Sequence, residues 1–215
     1  MGVLVTIEVL LVAMHFISPW LVPPLDRLEI WFDMSREATI ATWFASSQLL
    51  TVGVILGLLG VYLQKHGRPS AAFFAFLALL FSFLSMDEAV AIHERITKFT
   101  IRPAWVPRFR GDHGVWILLY GMLGVIVVAL MRRDLAAFWR RYRTPARTML
   151  AGFALTVAGG VGLEIGYYYL EDRTPPVVEE IVAAAEQFLE MVGITVVLLG
   201  AILLGGRIVR LQSVD

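Results

Sequence analysis

The chain has no cysteine among its 215 residues, which removes disulfides, thiolate metal sites and thiol nucleophiles together. It has no net charge either, with 18 basic residues balancing 18 acidic ones, so no bulk field points to nucleic acid. The short motifs that would fix a reaction are missing: no His-Glu-x-x-His, no His-rich desaturase pattern, no Gly-rich phosphate loop and no Glu-x-x-His. Ser82 and Ser85 have no His–acid pair on their face, which leaves a serine hydrolase unsupported. No internal repeat or low-complexity segment stands out.

Apolar surface is what the chain has in excess. Hydrophobic residues make up 58% and the mean hydropathy is +0.74, whereas soluble domains run at about 45–50% apolar. This composition predicts an integral membrane protein of one domain, 1–215, with no length left for a separate soluble unit. A helix needs about 17–25 apolar residues to cross a bilayer. Six stretches qualify, near 2–20, 38–63, 70–97, 114–131, 148–170 and 177–205. The expected fold is therefore all-α, a polytopic bundle of six transmembrane helices with short loops. Pro19, Pro23-Pro24, Pro69, Pro103, Pro107, Pro145 and Pro175-Pro176 punctuate the breaks. Pro176 suits a first helical turn, where its missing N–H would be unpaired anyway. No Lys or Arg precedes the first apolar run and Glu8 interrupts it, so that helix is expected to be retained, not cleaved as a signal.

An even number of crossings puts both termini on one side. The densest basic run, Arg132 to Arg147, lies on that side, and the positive-inside rule makes it cytoplasmic, in a bacterial cytoplasmic membrane. Of the 18 acidic residues, only Asp134 and Asp215 belong there. The molecule thus has a basic end and an acidic end. Leu25, Leu28, Trp31 and Phe32 alternate with charges, as do Leu135, Phe138, Trp139 and Tyr142. Both segments are expected to lie along a membrane surface.

The chemistry is in the acids that interrupt apolar runs. A carboxylate in hydrocarbon is costly unless neutralised, paired or bound to a cation, and so is a functional-site hypothesis. Helical spacing decides which of them share a face. Glu8 and His15 are seven apart on the first helix, and Asp87 and Glu94 on the third, with Ala91 between them. Glu179, Ala183, Glu186 and Glu190 make one stripe on the sixth. Glu164, Tyr168 and Glu171 align on the fifth, where Gly162 and Gly166 should allow close packing. Glu8, Asp87, Glu164 and Glu186 fall ~10–17 Å inside the acidic end at the helical rise of ~1.5 Å per residue. Glu179, Glu180 and Glu171 lie near enough to an interface to be answering the helix dipole alone. His93 and Glu88 flank the Asp87 face on opposite sides, and Glu88 is spaced to pair with Arg95. Gln48 and Tyr120 are placed to reach a site as hydrogen-bond partners.

Acids crowded at one depth repel, so protons or a cation must sit among them. The expected metal ligands are Asp87, Glu164, Glu186, Glu8, His15 and His93, with Glu190 and Glu94 as proton-transfer groups. Carboxylates with imidazole suit Fe, Mn or Zn, and Ca or Mg if the histidines stand aside. Helix bundles host di-metal sites of similar composition. The first expectation is a membrane-embedded metalloenzyme binding one or two divalent metals and acting on a lipid or other hydrophobic substrate. Lys98, Arg102, Arg108 and Arg110, with Trp105 and Phe109, would hold an anionic headgroup. The alternative is a proton- or cation-coupled transporter, against which stand the apolar basic-end halves of the third, fifth and sixth helices. A non-catalytic accessory subunit of a membrane complex is the third possibility.

Overall fold

The computed structural model describes residues 1–21, 25–67, 70–99, 114–170 and 173–212, apart from the side chains of 26, 94, 97–99, 114, 211 and 212. Within them the structure is helices joined by turns and bends, with no strand. Six segments are long and apolar enough to cross a membrane, fitting the expected six-helix bundle. The helices are α1 Gly2–Ile17, α2 Glu29–Phe32, α3 Ile40–Lys65, α4 Ala71–Val90, α5 Ile92–Phe99, α6 Gly114–Arg141, α7 Arg143–Val157, α8 Glu164–Tyr168 and α9 Pro176–Gln212. A π-helical turn, Ala158–Leu163, joins α7 to α8, and α9 opens on Pro176 as expected.

The long α9 is the axis of the bundle, touched by α1, α3, α7, α8 and the π-turn. Small residues let its neighbours close in. A Cβ on Gly152 of α7 would sit 2.5 Å from the Gly193 carbonyl oxygen and 2.6 Å from the Val197 nitrogen of α9. α3 and α4 make the most extensive pairing. A Cβ on Gly53 would meet Ala78 O at 3.1 Å, and a serine clasp joins the two backbones: Ser46 Oγ donates to Ser85 O at 2.7 Å and Ser85 Oγ to Ser46 O at 2.8 Å. α3 begins on a capping box, with Thr39 N–H donating to Thr42 Oγ1 at 2.8 Å. α6 stands apart. None of the residues in its most apolar window is buried, and it meets mainly α5 and α7, with Phe138 packing on Phe73 and Phe74 and Tyr120 near Phe83 of α4.

Three local expectations need correction. The third span does not run unbroken from 70 to 97. It ends at Val90, and Ala91 turns left-handed (φ 51°, ψ 51°) before α5 starts; no glycine or proline marks the break. Leu135, Phe138 and Trp139 are not a separate surface segment but the end of α6, and Phe138 and Tyr142 join the basic-end core. The break between the fourth and fifth spans falls at Tyr142, as expected near Pro145, which occupies the first turn of α7, where no backbone N–H is needed. Close packing on the fifth span is made by Gly152, Gly159 and Gly160 in place of Gly166, which has nothing near it, or Gly162, whose nearest neighbour is Val157 O at 3.9 Å.

Candidate acid and histidine site at the acidic end

The left-handed Ala91 shapes the site. By ending α4 and re-aiming α5, it brings His93 back over Asp87, where a continuous helix would have held the two on different faces. Asp87 Oδ1 accepts the backbone N–H of His93 at 2.9 Å, serving as a cap for α5, and Oδ2 lies 3.2 Å from His93 Nδ1. The carboxylate thus holds one histidine by both backbone and ring. The ring packs on Trp116 of α6, centroids 5.1 Å apart, and Trp116 stands edge-on to Tyr120. Tyr120 feels the charge of Asp87.

His93 lies just beyond the membrane-spanning part of α4. Burial pushes its ring toward the neutral form. The hydrogen bond and charge of Asp87, with Glu37 and Glu88 behind it, outweigh that, and the protonated form is favoured above the usual histidine range.

Further acids lie within electrostatic reach nearby. Glu88 is within electrostatic reach of Glu37, His93 and Asp87. Glu190 of α9 is within reach of Glu88, Glu186, Glu37 and Glu164. Glu190 rests against the π-turn: any Cβ at Gly160 would overlap its Oε1. A π-helical turn widens a helix locally and recurs at functional sites, and here its bare Gly159-Gly160 backbone receives a neighbour's carboxylate. Glu164 starts the helix just after that turn and is buried. Among the described residues, no three His, Asp or Glu side chains are arranged to hold a metal ion.

The expected ligands therefore divide. Glu164 and Glu186 lie within range of Glu190, and His93 and Asp87 pair and reach Glu88. Glu8 and His15 go elsewhere. Glu8 bonds Gln48 and Thr195 deeper in the bundle. His15 Nδ1 accepts the Met34 backbone N–H at 3.1 Å, fastening the α2 connection over α1. The side chain of Glu94 lies outside the described residues, as do Glu171 and the headgroup candidates Arg102, Trp105, Arg108, Phe109 and Arg110, and the Lys98 side chain. Glu37 and Thr195 went unnoticed in the sequence. Glu37 sits in a bend before α3, where no helical period points to it, and Thr195 opens an apolar run that reads as scaffold.

Residues 2–204 match the model of a family described as a domain of unknown function, DUF8692, and the chain belongs to that family. No curated protein and no solved structure matches it.

Proposed function

We propose that this membrane protein binds a divalent cation, Fe, Mn or Zn, among the acids and His93 of its acidic end, and uses it on a lipid or other hydrophobic substrate. What supports this reading is that Glu190 lies within electrostatic reach of Glu37, Glu88, Glu164 and Glu186, from separate parts of the chain. Like charges brought together in a medium of low dielectric need a counter-charge among them.

Asp87 takes a different role from the one its position suggests. Bonded to Nδ1, it orients His93, the arrangement by which a carboxylate positions a metal-binding imidazole. His93 and the partly exposed Glu37, Glu88 and Glu190 are then the proposed ligands, drawn together by the ion, with Glu164 and Glu186 supplying further negative charge. A divalent ion there would polarise a substrate oxygen or activate water. Glu190, lodged against the π-turn, is placed to pass a proton. The thinly packed α6 offers a hydrophobic substrate a side entrance past Trp116 and Tyr120.

Elemental analysis of detergent-purified wild type, Asp87→Asn and Glu186→Gln tests the proposal. Stoichiometric metal in the wild type, depleted in both variants while each still inserts and folds, is the expected result. Equal, near-zero metal in all three after growth with Fe, Mn and Zn would refute it, and a proteoliposome flux assay would then take up the transport alternative.

A further inference from the structure

A second polar site, separate from these acids, lies where α1, α3 and α9 cross. Glu8 is wholly buried there, with Gln48 and Thr195 only 4% and 2% exposed. The Thr195 hydroxyl donates to Glu8 Oε1 at 2.5 Å. Gln48 Nε2 donates to Thr195 Oγ1 at 2.6 Å and to Glu8 Oε1 at 3.2 Å. Those three bonds use every donor the three side chains own, one O–H and two N–H. Two acceptors are left, Glu8 Oε2 and Gln48 Oε1, both buried and both without a hydrogen-bond partner. Among the described residues, no cationic side chain bonds Glu8. A buried carboxylate with its charge unanswered, beside an amide oxygen with no donor, is among the costliest arrangements in a protein interior.

We infer that this junction binds one small monovalent cation, sodium or a proton, between Glu8 Oε2 and Gln48 Oε1. A single charge is the matching one, because one carboxylate is the only anion bonded there, whereas the acidic end gathers several. Sodium is a hard cation that takes carboxylate and amide oxygens. A proton would reside on Oε2 and be shared with the amide oxygen. Either would tie α1 to α3 and α9 at the depth where Glu8 would otherwise stand alone. The inference is independent of the divalent proposal, since the two sites share no residue.

The test is the unfolding temperature of the full-length protein in detergent, with divalent ions chelated throughout. Sodium, potassium and choline chloride are compared at equal ionic strength, and choline samples are repeated across pH. Saturation at roughly a hundred times Kd should raise the midpoint by about 5–10 °C for a chain of this size. A rise specific to sodium identifies sodium, and a pH-dependent midpoint indifferent to sodium identifies the proton. In Glu8→Gln the sodium response must vanish, or the pH dependence must fall below that of the wild type. Other titratable groups on the same helices are His15 on α1, Tyr62 and Lys65 on α3, and Glu179, Glu180, Glu186 and Glu190 on α9, so the reading is the difference between wild type and variant. Gln48→Met serves if Glu8→Gln does not fold. A wild type blind to sodium and pH, or variants that shift in parallel with it, would overturn the inference.

Discussion

Gly160→Ala isolates the seat of Glu190 with little risk to the fold. The added methyl would overlap Glu190 Oε1 and lie 3.1 Å from Cδ, yet the three atoms nearest it all belong to that one side chain. The carboxylate can swing away for about 0.5–1.5 kcal/mol of rotamer strain. Replacing a helical glycine by alanine returns up to about 1 kcal/mol, so the two terms nearly cancel and the melting temperature should stay within a few degrees of wild type. Gly152→Ala is the destabilising counterpart. Its methyl would meet backbone atoms of Gly193 and Val197 at 2.5 and 2.6 Å, and overpacking of that kind costs about 1–3 kcal/mol. Gly166→Ala, with nothing within 4 Å, is the neutral control. Thermal melts paired with Mn(II) titrations followed by electron paramagnetic resonance read both quantities. Gly160→Ala should fold as wild type but bind Mn(II) about 10–100-fold more weakly, the range for losing a supporting group; Gly166→Ala should bind normally. Wild-type Mn(II) affinity in Gly160→Ala would refute the placement of Glu190 at the cation.

Three further outcomes follow from the same geometry. His93 is held above its usual range, so in chelated protein the stability it adds is full below pH 6.5 and is lost as pH rises through the raised value. The melting-temperature gap between wild type and His93→Gln should shrink as pH rises, and a gap that widens would contradict the Asp87 pairing. Ser46→Ala removes one half of the clasp between α3 and α4 and leaves a buried Ser85 hydroxyl and carbonyl less well satisfied, at about 1–3 kcal/mol; an unchanged denaturation midpoint would count against the clasp. Thr39→Ala removes the α3 cap and should cost about 1 kcal/mol, read by the same melt.

The spans were legible because hydropathy is a property of long windows, and α1, α3 and α9 begin or end within a few residues of where apolar runs and prolines place them. Single-residue geometry was not. Ala91 enters the left-handed region with a side chain that gives no warning, and the one-helix reading of 70–97 therefore set Asp87 beside Glu94 and kept His93 off its face. The amphipathic 135–142 stretch reads as a surface helix because charges alternate through it, but Phe138 and Tyr142 are drawn into the core from the end of α6. Gln48 was legible as a polar residue on an apolar helix. Its partner Thr195 was not, since a threonine heading an apolar run has no pattern of its own. The private bonding of Glu8 is legible only once α1, α3 and α9 are known to cross.

The most direct measurement is the electron spin-echo spectrum of Mn(II) bound to the purified protein, with and without 15N-histidine labelling and in His93→Gln. The account predicts one bound Mn(II) coupled to a single imidazole nitrogen, with the coupling changed by the label and abolished in His93→Gln. Mn(II) that stays fully hydrated at saturating protein, or a nitrogen coupling that survives the loss of His93, would contradict it.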